Sequence, residues 1–185
     1  MATRLRADAR RNRAALLTAA REVFAEQGLD ASLDEIARRA GVGNATLYRR
    51  FPSRRHLIAE VFASHLTAAV RLADQACEHP DAWAAFIGYL TRVCELQATD
   101  RGLAELLVTT DFDDDERLAA LRATVQQRAA DVITRAQRAG RLRSDFTRHD
   151  LWLVMMANAG VTQHAADPHA WRRQLALVVG GLATR

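Results

Sequence analysis

The sequence predicts an all-α protein of about nine helices. Apolar residues recur with the helical period through most of the chain, for example at Leu16, Val23 and Phe24. Breaks such as Gly28 and Gly140 separate the helical segments, and no segment shows convincing strand alternation. The chain has 185 residues, of which 49% are hydrophobic, and this is enough to bury a real core.

The first helix is expected from Arg10 to Gln27, where Gly28 stops it. It follows a loose, partly basic arm formed by residues 1–9. The two helices that come next are too short to bury enough apolar surface alone. We therefore expect the first helix to pack across them and to complete a three-helix domain.

The stretch of residues 32–51 predicts two short helices across a tight turn. Ser32 can cap the first of them, and Glu35 can complete a capping box. Gly41 ends that helix, and the second runs from Ala45 to Arg50. This spacing is typical of a helix-turn-helix, a motif that places its second helix in the major groove of DNA.

The outward face of the second helix is short, polar and basic. The hydroxyls of Thr46 and Tyr48 can donate to phosphate oxygens, and Arg49 and Arg50 can reach a phosphate or a guanine edge. This pattern favours a DNA-contacting helix. The alternative is an ordinary corner between two helices with a solvated basic face.

The segment G-V-G-N-A-T-L-Y-R-R-F-P-S-R-R-H-L, residues 41–57, resembles the recognition-helix signature of the TetR family of bacterial regulators. The resemblance covers about the first third of the chain, and Gly43 and Arg50 depart from the usual signature. It implies phosphate contacts by Thr46 and Tyr48, and a grip on the DNA backbone by Arg54. With the base-reading face and the Ser32 cap, the predicted DNA-contacting residues are Ser32, Asn44, Ala45, Thr46, Tyr48, Arg49, Arg50 and Arg54.

The charge distribution agrees with a DNA-binding amino-terminal domain. Residues 1–55 hold 12 arginines against 6 acidic residues, whereas residues 56–185 hold 14 arginines against 16. A basic first part beside a mildly acidic remainder is expected when only the first part meets a polyanion. We therefore predict a helix-turn-helix domain over residues 1–55 and a larger helical domain for effector binding and dimerisation over residues 56–185.

Ser53 is predicted to cap a longer helix that runs from Arg54 to about Cys77 without an internal Pro or Gly. One continuous helix would then begin beside the DNA surface and end in the second domain. A displacement at its far end can be carried to the recognition helix.

The remaining residues read as further helices. In order, we expect a helix from Asp81 or the next residue to about Ala98, a short helix Leu103–Thr109, an acidic loop Asp111–Asp115, a long amphipathic helix to about Ala139, and final helices Thr147–His164 and Pro168–Ala183.

The last two helices are apolar on more than one side, so they need a second surface to cover them. An isologous dimer supplies one, and the TetR resemblance implies a four-helix dimer interface at the same place. The alternative is core packing within one protomer. The predicted interface residues are Leu151, Val154, Ala159, Thr162, Trp171, Leu175, Val178, Val179 and Leu182.

A ligand pocket between the middle helices is the other expected site, because apolar and aromatic side chains gather there with a few polar groups. The predicted lining is Phe62, Leu66, Trp83, Phe86, Tyr89, Leu90, Leu106, Leu107, Val125, Trp152, Met155, Met156 and Asn158, with His65 and Gln97 as further candidate polar anchors.

Little in the sequence indicates an enzyme, a metal site or a cofactor. His149-Asp150 stands alone, and Asp150 is placed to start or cap a helix. His164 and His169 straddle Asp167-Pro168, so they do not share a helical face. No motif for a phosphate-binding loop or a catalytic nucleophile is present.

Two cysteines, Cys77 and Cys94, are too few for a disulfide framework, and they read more readily as small buried side chains than as a redox sensor. The sequence has no signal peptide and no long uncharged apolar run. We therefore expect a cytoplasmic protein that does not associate with a membrane.

Together these features predict a transcriptional regulator that binds a palindromic operator on double-stranded DNA as a homodimer. We expect a repressor that is released by a small apolar or amphipathic effector. The alternatives are a DNA binder that needs no effector, and a helix-turn-helix module that binds another protein.

Overall fold

The computed structural model describes residues 2–109 and 115–183, and these ranges form nine α-helices and no β-strand. The helices are α1 (Ala2–Gln27), α2 (Leu33–Arg39), α3 (Asn44–Arg50), α4 (Arg54–Glu78), α5 (Ala82–Thr99), α6 (Arg101–Val108), α7 (Glu116–Arg138), α8 (Arg148–His164) and α9 (Ala170–Leu182). The predicted all-α fold is confirmed, with helix bounds close to those expected from the sequence.

Two predictions about the amino-terminal third need correction. The arm expected over residues 1–9 is instead the start of α1, which begins at Ala2 because no Gly or Pro interrupts this stretch. The capping box at Ser32 and Glu35 does not form. Ser32 Oγ accepts from the Asp34 amide at 3.2 Å, while the Glu35 carboxylate binds the guanidinium groups of Arg38 and Arg39.

The turn of the helix-turn-helix forms as expected. Gly41 has φ +66°, in the left-handed region where a side chain would add strain. Ala37, Leu47 and Phe51 are buried, so they anchor α2 and α3 on the rest of the domain. These contacts leave the opposite face of α3 toward solvent.

The first core extends from α1, α2 and α3 into α4, α6 and the start of α7. Phe24 of α1 and Phe62 of α4 are stacked at its centre, with ring centroids 6.2 Å apart. Leu103 and Leu106 of α6 belong to the same core. The helix-turn-helix is therefore packed directly on helices of the second predicted domain. The domain boundary after residue 55 stays a prediction.

The second core joins the far end of α4 to α5, α7, α8 and α9. Phe86 contacts Trp83 in a stacked arrangement and Phe146 edge-on, with centroid distances of 5.8 and 5.7 Å. The predicted acidic loop precedes α7, and its residues 111–114 lie outside the described residues.

Helix α6 packs tightly against α1 at Gly102. A Cβ atom added there would lie 2.9 Å from the carbonyl oxygen of Phe24 and 2.9 Å from Cζ of Phe62. Real Cβ atoms do not tolerate such distances, so only glycine allows α6 to sit this deeply against the amino-terminal domain.

Gly102→Ala should therefore lower the free energy of unfolding by about 1–3 kcal/mol, because the methyl group overpacks the contact between α1 and α6. Gly88→Ala is the matched control on α5, where an added Cβ meets nothing within 4 Å. That change should raise stability by about 0.5–1 kcal/mol through helix propensity. Urea unfolding at one protein concentration measures both, and a Gly102→Ala variant as stable as the parent would contradict the close contact.

Candidate functional site

The exposed face of α3 carries the residues predicted to contact DNA. Tyr48 is 51% exposed, an unusual degree for an aromatic side chain. Asn44, Ala45, Arg49 and Arg50 are also exposed, and Thr46 is half-buried. The fold thus presents one polar, basic helical face to solvent.

Hydrogen bonds connect the first residues of α3 and α4 to earlier parts of the domain. Asn44 Nδ2 donates to Asp34 Oδ1 at 2.6 Å and ties the start of α3 to α2. Arg54 NH1 donates to the carbonyl oxygens of Leu29 and Ala31 at 2.8 and 2.5 Å. The predicted phosphate contact of Arg54 stays a prediction, and in this structure Arg54 binds the turn between α1 and α2.

An ion-pair network joins α1 to α2 behind this face. Arg39 forms a two-point contact with Glu26, at 2.9 and 2.7 Å, and its Nε donates to Glu35 at 2.8 Å. Hydrogen bonds from Arg38 and then Arg39 lower the pKa of Glu35 to about 2. Glu35 therefore stays ionised at any ordinary pH, and Arg38 and Arg39 are engaged with carboxylates.

A cavity of about 310 Å³ lies between α4, α5, α6, α7 and α8. This volume is within the range of small-molecule sites. Its walls are mostly apolar, with a few basic and amide side chains among them. The lining residues are His65, Leu66, Ala68, Ala69, Leu72, Tyr89, Val93, Leu96, Leu103, Leu106, Leu107, Arg122, Val125, Gln126, Ala129, Arg148, His149, Leu151, Trp152 and Met155.

The structure brings only some of the predicted ligand-binding residues to this cavity. Those that line it are Leu66, Tyr89, Leu106, Leu107, Val125, Trp152 and Met155, together with the candidate anchor His65. The others lie elsewhere: Phe62 is in the first core, Trp83, Phe86 and Leu90 are in the second core, Met156 is 42% exposed, and Asn158 is buried beside Gln97.

Asn158 and Gln97 form a buried polar pair away from the main cavity. Asn158 Nδ2 donates to Gln97 Oε1 at 2.9 Å and to the carbonyl oxygen of Cys94 at 3.2 Å. These bonds tie α8 to α5. Gln97 also lines a smaller cavity of about 220 Å³, which the side chains of α5, α6 and α8 enclose with the end of α1.

Three basic residues of the cavity wall were not among the sequence predictions: Arg122, Arg148 and His149. Arg122 is on the amphipathic helix α7, where an arginine is ordinarily solvated. Here its NH2 donates to the carbonyl oxygen of Thr109, and its NH1 is buried. The periodicity of the sequence does not predict that the Arg122 guanidinium is partly buried, because this burial results from the packing of α6 and α7.

Helix α6 contributes side chains both to the cavity wall and to the core that holds the helix-turn-helix. Leu103 and Leu106 of α6 face both the cavity and the first core. On the same helix, Glu105 Oε2 accepts the Leu29 amide at 2.7 Å, across 76 positions of sequence. Gly28, with φ +87°, leaves room for this carboxylate. Helix α6 therefore connects the cavity wall to the turn before α2.

The last two helices expose apolar side chains to solvent. Leu153 and Met156 on α8 are 46% and 42% exposed, and Leu177 on α9 is 62% exposed. The predicted interface residues Leu151, Trp171, Leu175 and Leu182 are instead buried within the protomer, and the other predicted residues, Val154, Ala159, Thr162, Val178 and Val179, are half-buried.

Asp150 forms a capping box with Thr147 at the start of α8, as the hydrogen bonds between their side chains and amides show. Within the described ranges, no group of three His, Cys, Asp or Glu side chains is arranged to hold a metal ion. None of the helices in that part of the chain has the length and hydropathy needed to cross a membrane.

The chain is similar to known bacterial regulators along most of its length. Residues 16–61 match the family described as bacterial regulatory proteins, tetR family, and residues 81–184 match the transcriptional regulator SbtR-like, C-terminal domain. An uncharacterized HTH-type transcriptional regulator of Mycobacterium bovis is 30% identical over 162 residues, which span 81% of this chain and 79% of that protein.

Solved structures share the fold. A TetR transcription regulatory protein from Mycobacterium vanbaalenii is 29% identical, with a TM-score of 0.58 over 97% of this chain and 99% of its own. FadR of Bacillus subtilis, solved with stearoyl-CoA, is 19% identical (TM-score 0.66, 91% and 98% covered). LfrR of Mycobacterium smegmatis, solved with proflavine, is 23% identical (TM-score 0.65, 95% and 98% covered).

The two thiols should react slowly in the folded protein. Burial raises the pKa of Cys94 to about 12, and burial followed by the nearby Asp131 charge raises the pKa of Cys77. A raised pKa lowers the fraction of reactive thiolate at pH 8. With Ellman's reagent at that pH, Cys94 should react roughly a thousandfold more slowly in the native protein than in urea. Equal rates in both conditions would show that Cys94 is not buried.

Proposed function

The chain belongs to the TetR family of bacterial regulatory proteins and is a DNA-binding transcriptional regulator, and from this premise we propose that it is a homodimeric repressor released from a palindromic operator by a small effector. The observation that carries the proposal is the position of α6, whose side chains line the cavity and bind the turn before α2. Such a protein acts in the cytoplasm and is not an enzyme.

The exposed face of α3 supports major-groove docking. Thr46 and Tyr48 contact phosphates, and Asn44, Ala45, Arg49 and Arg50 face the bases. Arg49 and Arg50 lie in the last turn of the helix and are exposed. Because arginine contacts release counterions from DNA, affinity should fall steeply as salt increases.

The exposed apolar face of α8 and α9 supports a homodimer. Leu153 and Met156 of α8 and Leu177 of α9 leave large apolar side chains in water, and exposed apolar surface of this kind is typical of interaction sites. A two-fold axis through this face covers both copies at once. The same axis pairs the two recognition helices, which then require an operator with two-fold symmetry.

The cavity supports control by an effector, because an effector-independent binder needs no empty space in its second domain. An occupant would press on Leu103 and Leu106, and α6 can move only by disturbing the Gly102 contact with α1 and the Glu105 bond to Leu29. The turn before α2 would shift, and the two recognition helices of the dimer would lose their spacing. A useful switch needs the effector to favour the released state by roughly 3–5 kcal/mol.

Solved relatives contain small molecules of very different chemistry, among them stearoyl-CoA and proflavine. They support an effector role for the cavity in this fold. They do not identify the effector, so its class has to be argued from the side chains of this chain.

Tyr48→Ala should weaken binding to operator DNA by about tenfold, because a hydrogen bond to a charged phosphate is lost. Tyr48→Phe, which removes only the hydroxyl, should account for most of that loss. Fluorescence anisotropy with operator DNA measures both, and circular dichroism checks that the fold is unchanged. A Tyr48→Ala variant that binds as tightly as the parent would rule out this docking mode.

Leu177→Glu should convert the dimer to a monomer, because it places a charge in the apolar interface. Ala123→Glu on the exposed face of α7 is the control and should leave the dimer intact. Sedimentation velocity distinguishes the two states. If Leu177→Glu remains dimeric, another face forms the interface.

A further inference from the structure

We propose that the cavity takes an anionic amphipathic molecule, with a carboxylate head bound by Arg122 and an apolar tail against the leucine-rich walls. The inference rests on the proposed function, since it names the chemical class of the effector for the same cavity. It depends on the identity of the polar side chains that line the cavity.

The cationic side chains of the wall set its charge. Arg122, Arg148, His65 and His149 line the cavity, and among the residues that the structure describes no aspartate or glutamate does. An apolar enclosure strengthens the field of these groups, because little water screens them. A cationic head would meet like charge, and a neutral head would leave the arginines without a counter-ion.

Arg122 provides the strongest individual evidence. Its NH2 donates to the carbonyl oxygen of Thr109, and this hydrogen bond connects α7 to the end of α6. Its NH1 is buried and has no hydrogen-bond partner in the part of the chain that the structure describes. An unsatisfied donor on a permanently charged group is costly, and a carboxylate oxygen satisfies both the donor and the charge.

His65 offers a second unsatisfied nitrogen in the same cavity. Its Nδ1 is buried without a partner among the described residues, and its Nε2 is 3.9 Å from Asp100 Oδ2. The ring also contacts Phe62, with centroids 5.5 Å apart, which fixes its orientation. Because Nε2 faces Asp100, Nδ1 is the ring nitrogen left for a hydrogen bond with an occupant of the cavity.

The rest of the wall suits an apolar tail. Leucine side chains of α4, α5 and α6 form a large part of it, and other apolar residues, among them Val93, Val125, Trp152 and Met155, also line it. Burial raises the pKa of Tyr89 to about 12, so the Tyr89 hydroxyl remains neutral beside the tail. A short alkyl or aromatic carboxylate therefore fits both ends of the site.

The test compares three probes that differ only in the head group: octanoate, octan-1-ol and octylammonium. Isothermal titration calorimetry of the full-length protein without DNA should give octanoate an affinity at least about tenfold above that of octan-1-ol, with octylammonium weakest. Arg122→Gln should weaken octanoate about tenfold and leave octan-1-ol unchanged. Arg138→Gln, an exposed position near the other end of α7, is the control and should change neither.

Unchanged binding of octan-1-ol to the Arg122→Gln variant also shows that its cavity is intact. The inference is overturned if octan-1-ol or octylammonium equals octanoate in the parent, if octanoate does not bind, or if its advantage survives Arg122→Gln. These titrations contain no DNA, so they test the anion site independently of operator binding. If the protein failed to bind an operator in a separate experiment, that result would contradict the proposed function and not the anion site.

Discussion

The close contact between α6 and α1 is the constraint on which the rest of the molecule depends. Gly102 allows the two helices to approach until a single added methyl group would clash, and Glu105 then reaches the amide of Leu29. Because Leu103 and Leu106 on the same helix line the cavity, one short helix has a side that faces the cavity and a side that faces the helix-turn-helix domain. A packed core has discrete arrangements and does not deform continuously, so a small change in the cavity can become a change at the helix-turn-helix.

Basic side chains occur in two different surroundings, on the exposed face of α3 and in the wall of the cavity. On the DNA-binding domain, carboxylates engage Arg38 and Arg39 and fix α1 to α2, while Arg49 and Arg50 remain exposed on α3. In the cavity, Arg122 donates from one nitrogen to Thr109, and its other nitrogen is buried without a partner among the described residues. The first arrangement suits a polyanion outside the protein, and the second suits a single anionic group inside it.

Local sequence signals predicted the helices and the exposed polar face of α3 well, because caps, glycines and helical periodicity act over a few residues. Ser53, Asp81 and Gly41 behave as their residue types dictate. The cavity was only partly predicted. Phe62 and Phe86 fall on the same helical pattern as Leu66 and Tyr89 and are buried like them, but only Leu66 and Tyr89 line the cavity. Arg122 and the bond between Glu105 and Leu29 depend on distant segments meeting, which no local pattern encodes.

The most direct test of coupling through α6 is the effect of Glu105→Gln on operator affinity. Glu95→Gln is the control, since Glu95 is a half-buried residue of α5 that pairs with Arg92 on its own helix. Operator DNA selected from random sequences by the parent protein would be titrated by fluorescence anisotropy, without effector. We expect Glu105→Gln to bind operator more weakly although its α3 surface is intact, because the turn before α2 loses its charged acceptor. We expect Glu95→Gln to bind like the parent. Equal operator affinity for Glu105→Gln and the parent would contradict coupling through α6.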